Sequence, residues 1–240
     1  MHRFANPARF LRIAAIVLPW ATGGAVVTFL LGLYLALIGS PPDYQQGDSA
    51  RIMYVHFPAA GMALMIYSSM AVAAAVALVW KHTLAELYCK AAAPLGAGFT
   101  ALCLITGSLW GKPMWGTYWV WDARLTATLI LLFVYVGYMA LVNAFDEPGR
   151  GERMGSILLL IGAVDVPIIH FSVEWWNTLH QPSSVFKIGG PTIVVAMLYP
   201  LLAMAVAYLC YFVAVVIVRM RAELVGRRIQ ALRMAAAAGE

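Results

Sequence analysis

The chain is 240 residues long, and 62% of its residues are hydrophobic while only 11% are charged. Because soluble domains carry about 25% charged residues, this composition excludes an ordinary soluble domain and predicts an integral membrane protein. The formal net charge of +5 does not by itself indicate a nucleic-acid partner, and we expect none.

Six apolar runs follow one another along the chain, and each is long enough to cross or nearly cross a bilayer core of about 30 Å as a helix. The predicted helices cover residues 13–38, 57–80, 91–109, 125–145, 154–171 and 189–218. The first run is too long for the apolar part of a cleaved signal peptide, so we expect it to be retained. The sequence therefore predicts an all-α membrane protein in which residues 1–240 form one six-helix domain.

The basic residues indicate how these helices are oriented. If the N-terminus lies inside, the inside segments hold 12 Lys and Arg residues and the outside segments hold 4. The positive-inside rule then places both termini in the cytoplasm. The loops at 39–56, 110–124 and 172–188 would share the outer face, which in a bacterium is the periplasmic face of the inner membrane. For the basic tail, 219–240, a stop-transfer anchor is favoured over a helix that continues along anionic lipid.

The loop at 110–124, WGKPMWGTYWVWDAR, carries four of the eight tryptophans of the chain. Gly111, Pro113 and Gly116 are expected to interrupt any regular helix there. A plain aromatic belt would populate both membrane interfaces, but six of the eight tryptophans fall on the predicted outer side. Trp119 and Trp121 are two residues apart, so an extended segment would turn both to one side. This asymmetry favours a binding platform for a flat apolar ligand.

Two histidines flank this loop in sequence and fall on the same predicted face. His56 stands where the first outer loop meets the second helix, and His180 lies in the third outer loop. His170 lies near the outer end of the fifth helix and is expected to be a packing or hydrogen-bonding residue. Asp165 lies at membrane depth, where a carboxylate is a candidate functional group, and no role is assigned to it.

Together these residue types suit haem. Two neutral imidazoles, from His56 and His180, could occupy the axial positions of the iron. Indole rings could cover the porphyrin, and the guanidinium groups of Arg51 and Arg124 could pair with the propionates. Gly116 would let the backbone approach the ring or turn sharply.

Other charged side chains are weaker candidates for contact with such a ligand. Lys112 and Lys187 are weaker candidates for the propionates. Asp122 is expected to hold the loop, either by pairing with Arg124 or by accepting backbone N–H groups, rather than to contact the ligand. Cys89, Cys103 and Cys210 are far apart and form no CxxC pair, so they predict neither a metal site nor a disulfide framework.

The run WGTYWVWD at 115–122 resembles the WGxxWxWD signature of the WWD family, the haem-handling proteins of cytochrome c maturation. The neighbouring runs resemble one branch of that family, cytochrome c maturation protein C (CcmC). They are RIMYVHFPAA at 51–60, GSLWGKPMWG at 107–116, WDARLT at 121–126 and VEWWNTLHQP at 173–182. Tyr118 departs from the family pattern, in which a tryptophan is expected, but it keeps an aromatic face.

The resemblance implies a role for each matching position. The outer-face histidines of the family fall on His56 and His180, the axial ligands. Its signature falls on the haem platform, which is Trp115, Gly116, Trp119, Trp121 and Asp122. The chain would then hold haem b at the periplasmic surface and pass it to CcmE, a membrane-anchored chaperone. The other implied partners are the CcmA ATPase, the CcmB permease and the small single-span CcmD.

A transfer subunit of this kind needs no catalytic residue. The sequence also lacks a GxxxxGK[ST] loop, so ATP would be hydrolysed by a partner. Two alternatives remain open. A redox subunit with a b-type haem for quinol oxidation would usually hold its histidines inside the span. A purely structural transporter subunit would use its tryptophans only as lipid anchors.

Overall fold

A computed structural model describes residues 6–145, 147, 149–176, 178–180, 189–190 and 193–238. The α-helices in this part of the chain are α1 (Pro7–Tyr34), α2 (Met53–Trp80), α3 (Thr83–Trp115), α4 (Ala123–Val142), α5 (Arg150–Gly162), α6 (Asp165–Trp175) and α7 (Val195–Ala238). A π-helical segment, Leu35–Gly39, extends α1, and a 3₁₀ turn, Asp48–Ile52, leads into α2.

Six helical segments among the described residues are long and apolar enough to cross a membrane, and α5 and α6 together make one of them. The predicted all-α protein with six transmembrane helices is therefore confirmed. The two helices α2 and α3 pack along each other at the centre, while α1 lies at the edge with α7 as its main partner.

Tyrosines link the central helices through their hydroxyl groups. Tyr67 donates to the carbonyl of Leu159 at 3.0 Å, and Tyr135 donates to the carbonyl of Ala63 at 2.8 Å. The two rings meet edge to face with centroids 5.2 Å apart. Gly96 makes room for Tyr135, because a Cβ at that position would lie 2.2 Å from the ring. Both tyrosines are fully buried, and these hydrogen bonds satisfy their hydroxyl groups.

The prediction for the third helix, 91–109, was too short at both ends. The helix begins at Thr83, because the Nδ1 of His82 accepts a hydrogen bond from the backbone N–H of Ala85 at 3.3 Å and caps the first turn. It continues through Gly111 and Pro113 to Trp115, so the predicted interruption of the helix was wrong at these two positions. A proline costs about 3 kcal/mol and a glycine about 1 kcal/mol in a helix, and the packing of α3 on its neighbours outweighs these costs.

The helix ends instead at Gly116. This residue has a φ of +76°, and its N–H donates to the carbonyl of Lys112 at 3.0 Å. A left-handed glycine is the usual way to close a helix, because it lacks the Cβ that would strain this backbone conformation. The irregular part of the tryptophan-rich segment is therefore only 116–122, and not the whole of 110–124.

The other predicted bounds shift for local reasons. The first helix begins at Pro7 and not at 13, because the side chain of Asn6 caps it, and the second begins at Met53 and not at 57. The fourth begins at Ala123, two residues earlier than predicted, because Asp122 caps it, and it ends at Val142. Capping side chains and preceding turns extend these helices beyond their apolar runs.

The last two predicted spans also differ. The fifth, predicted at 154–171, is helical from Arg150 to Trp175 with a break at residues 163–164. The last was predicted at 189–218, but α7 begins at Val195 and continues to Ala238, so the basic tail is helical. The stop-transfer role of its basic residues stays a prediction.

Ion pairs hold the start of the basic tail against the bundle. Glu223 pairs with Lys90 at 3.1 Å, and Arg227 pairs with Glu152 at 3.3 Å. In addition, Arg219 donates to the carbonyl of Ala91 at 3.0 Å. Lys90 belongs to the segment 81–90, which was predicted as a polar loop and is helical from Thr83.

Candidate functional site

The predicted site residues gather at one end of the helical bundle. His56 lies in the first turns of α2, which run alongside the last turns of α3. The segment 116–122 joins α3 to α4 at this end, and His180 follows the C-terminal end of α6.

The imidazole of His56 is held by α3. Its Nδ1 lies 3.0 Å from the carbonyl oxygen of Cys103 and 3.1 Å from the hydroxyl oxygen of Thr106. A carbonyl oxygen can only accept, so Nδ1 carries the proton and donates it. Nε2 then keeps its lone pair, and among the described residues it has no hydrogen-bond partner. His56 is therefore fixed in the tautomer that a metal ligand needs.

Two neighbours shape the space around this ring. Gly107 packs directly against it, because a Cβ there would lie 2.9 Å from Cε1 of His56. The ring of Trp110 meets the imidazole edge to face, with centroids 5.7 Å apart. Trp110 is itself anchored, since its indole N–H donates to the side chain of Gln46 at 2.9 Å.

The imidazole of His180 is held in the same way by a different partner. Its Nδ1 lies 3.0 Å from Oδ2 of Asp122 and 3.2 Å from the hydroxyl of Thr178. An ionised carboxylate can only accept, so Nδ1 again donates and Nε2 keeps its lone pair. Burial lowers the pKa of His180, although the charge of Asp122 acts in the opposite direction. The neutral form is the one that can ligate a metal.

The two histidines are linked through α3. The ring of Trp115 meets the imidazole of His180 edge to face at 4.9 Å, just as Trp110 meets that of His56. These tryptophans are five positions apart on one helix, which corresponds to a rise of about 7.5 Å along its axis. His56 and His180 therefore lie at the same end of the molecule, as the topology predicted. Their role as ligands stays a prediction.

The segment after Gly116 presents aromatic surface. Trp119 and Trp121 contact each other edge to face with centroids 5.4 Å apart, in agreement with the prediction that both turn to one side. Trp121 is 74% exposed. The indole N–H of Trp119 is buried and has no hydrogen-bond partner among the described residues. A buried donor without a partner costs free energy unless a ligand satisfies it.

The two candidate guanidinium groups occupy different places. Nε of Arg124 donates to Ser172 at 3.2 Å, and its Nη2 lies 3.5 Å from the carbonyls of Ile169 and His170. Arg124 thus ties the start of α4 to the end of α6, and its Nη1 has no partner among the described residues.

Arg51 is engaged with the end of the first span. Its Nε donates to Asp48 at 2.9 Å, and its Nη1 donates to the carbonyls of Ala36 and Leu37. Lys112 donates to the carbonyl of Gly116 at 3.0 Å and lies over the ring of Tyr118. Lys187, the other weak candidate, lies outside the described residues.

Asp122 has the loop-holding role that was expected, through the backbone N–H alternative rather than through Arg124, and it also contacts His180. Its Oδ1 accepts the backbone N–H of Leu125 at 2.8 Å, while its Oδ2 faces His180. No ion pair with Arg124 occurs among the described residues. Sequence reasoning could not identify the His180 contact, because the two residues are 58 positions apart.

Several other site neighbours carried no sequence signal. Thr106, Gly107 and Thr178 are unremarkable in a membrane sequence, and the carbonyl of Cys103 has no side-chain signature. Of the residues left without a role, His170 is exposed and contacts Phe171. Asp165 is buried, and its Oδ2 has no partner among the described residues.

These features fit haem as a cargo. Within the described part of the chain, two imidazoles offer Nε2 atoms without a hydrogen-bond partner, each imidazole lies against a tryptophan ring, and a buried indole N–H has no acceptor. Imidazole nitrogen is a common axial ligand of haem iron, and an apolar porphyrin needs an aromatic or aliphatic enclosure.

The comparison with known proteins identifies the family. A family model described as "Heme exporter protein C" matches residues 1–235. The chain belongs to the heme exporter protein C family. It is therefore a membrane protein of haem transport and cytochrome c biogenesis, which confirms the resemblance found in the signature segments.

The segments matched to individual relatives cover most of this chain and most of each relative. The "Heme exporter protein C" of Bradyrhizobium diazoefficiens is 50% identical over 230 residues, which are 96% of this chain and 87% of the relative. The protein of the same name from Escherichia coli strain K12 is 53% identical over 184 residues, 77% of this chain and 75% of the relative. That of Paracoccus denitrificans is 39% identical over 230 residues, 95% of each chain.

Proposed function

We propose that the chain binds haem b at the periplasmic surface of the bacterial inner membrane, with His56 and His180 as the axial ligands. The observation that carries this proposal is the hydrogen-bond partner of each Nδ1, which is an oxygen that can only accept. Each Nδ1 is therefore assigned the proton, and each Nε2 is left with a lone pair at the same end of the bundle. A neutral imidazole with a free Nε2 can ligate haem iron.

The platform would be made of Trp115, Gly116, Trp119 and Trp121. Trp115 lies against His180, and the largely exposed ring of Trp121 offers area for the porphyrin face. The orphaned N–H of Trp119 would donate to a propionate or to another acceptor at the edge of the cargo.

Of the two guanidinium groups, Arg124 has the better support as a propionate partner. It sits at the start of α4, two residues after the histidine partner Asp122, and its Nη1 is unused within the described chain. Arg51 uses Nε and Nη1 to join the first outer loop to the end of the first span, so its Nη2 alone would be left for a propionate.

The chain would act by holding and releasing the cargo rather than by changing covalent bonds. Its residues orient two imidazoles, and transfer requires only that ligands from the acceptor replace these imidazoles. We propose that the acceptor is the periplasmic chaperone CcmE. In the complex, CcmA would supply ATP hydrolysis, with CcmB and CcmD as the other membrane subunits.

The orientation of the site rests on the basic residues. The segments on the side of the two termini hold 12 of the 16 Lys and Arg residues, so this side would be cytoplasmic. Both histidines, the segment 116–122 and the end of α6 would then face the periplasm.

The test is an absorption spectrum of the purified protein after reconstitution with haem. Wild type is compared with His56→Gly and His180→Gly, each with and without added imidazole. We expect either variant to retain less haem and to shift the Soret band, and imidazole to restore part of both. His170→Gly is the matched control, since this exposed histidine lies on the helix that precedes His180. Spectra of both ligand variants identical to wild type would refute the assignment.

A further inference from the structure

We propose that Asp122 is a positioning residue that acts through His180, fixing the direction of its Nε2 and making it the stronger of two unequal axial ligands. This inference rests on the proposed function, because it assumes that His180 ligates haem. It concerns a role for the aspartate of the tryptophan-rich segment beyond capping the helix that follows.

The two carboxylate oxygens of Asp122 have different hydrogen-bond partners. Oδ1 accepts the backbone N–H of Leu125 at 2.8 Å and caps α4. Oδ2 lies 3.0 Å from Nδ1 of His180. The side chain of Asp122 is only 6% exposed and that of His180 is 16% exposed, so water competes little for this hydrogen bond. The cap fixes the carboxylate, and the carboxylate in turn fixes the ring.

The neighbouring contacts of His180 support one orientation. Thr178 lies 3.2 Å from Nδ1 and accepts the backbone N–H of His180 at 2.8 Å. Trp115 packs against the ring edge to face. With Nδ1 held by oxygen atoms on one side, Nε2 is the nitrogen left for a ligand.

The two histidines are held by partners of different charge. Nδ1 of His56 faces a neutral carbonyl, that of Cys103, and a neutral hydroxyl, that of Thr106. Nδ1 of His180 faces a carboxylate. A hydrogen bond to a carboxylate draws the proton away from the ring and raises the electron density at Nε2 more than a bond to a carbonyl does. His180 therefore binds ferric iron more strongly than His56 does.

The chain offers variants that separate this role from helix capping. Asp122→Asn keeps an oxygen for the N–H of Leu125 but removes the charge, and Asp122→Ser keeps a capping oxygen on a side chain too short to reach His180. Glu174→Gln is the matched control, because it removes a carboxylate charge from the exposed last turn of α6 at the same end of the bundle.

The experiment uses the full-length protein in lipid nanodiscs, titrated with ferric haem. We expect Asn and Ser at position 122 to weaken haem affinity about 10- to 100-fold, the usual effect of removing the partner of a ligating histidine. The reduction potential should rise, because the ferric state loses the donation that favours it. Glu174→Gln should keep the affinity and potential of wild type. Circular dichroism of the apo-proteins should match wild type, and their thermal midpoints should fall only by the loss of the hydrogen bond between Asp122 and His180, because the helix cap is kept.

A double-mutant comparison shows whether the effect passes through the ring. In a His180→Gly background, adding Asp122→Asn should cause no further loss of haem affinity. A further loss as large as that in wild type would overturn the inference, as would wild-type affinity and potential in both single variants at position 122.

The two proposals fail in different ways. If wild type binds no haem, or if its spectrum is unaffected by His180→Gly, then the proposed ligand assignment itself is wrong. If wild type binds haem through His180 while the variants at position 122 match it, only the positioning role is lost, and Asp122 is a helix cap.

Discussion

Gly107 lies against the imidazole of His56 and leaves no room for a side chain. In Gly107→Ala the new Cβ would lie 2.9 Å from Cε1 of His56, whereas non-bonded carbons prefer about 3.5–4.0 Å. The ring must therefore shift by roughly 0.6 Å or more. Overpacking of this kind costs about 1–3 kcal/mol. If the displaced ring is the ligand, haem affinity should fall roughly 5- to 150-fold, at 1.4 kcal/mol per factor of ten.

The assay is titration of the apo-protein with ferric haem, followed by the Soret band and by quenching of tryptophan fluorescence. Gly98→Ala is the matched control, because it changes the same residue type on the same helix and its Cβ would meet nothing within 4 Å. Alanine favours a helix over glycine by up to about 1 kcal/mol, so both variants should fold. Equal haem affinity in Gly107→Ala, Gly98→Ala and wild type would refute the reasoning, because the position of His56 would then not matter.

Three further predictions concern the surroundings of the site and the tail. Arg124→Ala should lower the free energy of unfolding by about 1.5–3 kcal/mol in a denaturant titration, since it removes the hydrogen bond to Ser172 and leaves the end of α6 without its donor; an unchanged midpoint would contradict this. Burial lowers the pKa of His180 from its ordinary value of 6.5, although Asp122 opposes and Arg124 adds to the shift. The folded protein therefore favours the neutral ring, and this contribution to stability is complete above pH 6.5 and is lost as the pH falls through the lowered pKa. Thermal unfolding of the apo-protein from pH 7 to pH 5 should reveal this loss, and His180→Gln should reduce it; an identical pH profile would argue against it. Finally, Glu223→Lys should lower the thermal midpoint by repelling Lys90, and the swapped pair Lys90→Glu/Glu223→Lys should recover most of the loss. No recovery would mean that the contact does not hold the tail.

The sequence was sufficient for the features that depend on local composition. Apolar runs of about 20 residues identify spans, because every backbone polar group in a bilayer must be satisfied inside its own helix. Counting the spans shows which loops share a side of the membrane. The loops that hold His56, His180 and the tryptophans therefore fall on one side, without any knowledge of packing. The signature at 115–122 is equally local, and the family comparison confirmed the family that it indicates.

Contacts between distant parts of the chain decide the ends of the third helix and the surroundings of the two histidines. Hydropathy alone limits the third helix to 91–109. The cap at His82 and the turn at Gly116 bound the helix at Thr83–Trp115, and the tail residue Glu223 pairs with it. The hydrogen bond from His180 to Asp122 and the packing of His56 on Gly107 join residues far apart in sequence. The nitrogen that a histidine offers to a metal depends on the partner of its other nitrogen, and for His56 that partner is a backbone carbonyl, which every residue possesses. No pattern of side chains can encode such a partner, so the hydrogen bond of each Nδ1 is decided only when the helices pack.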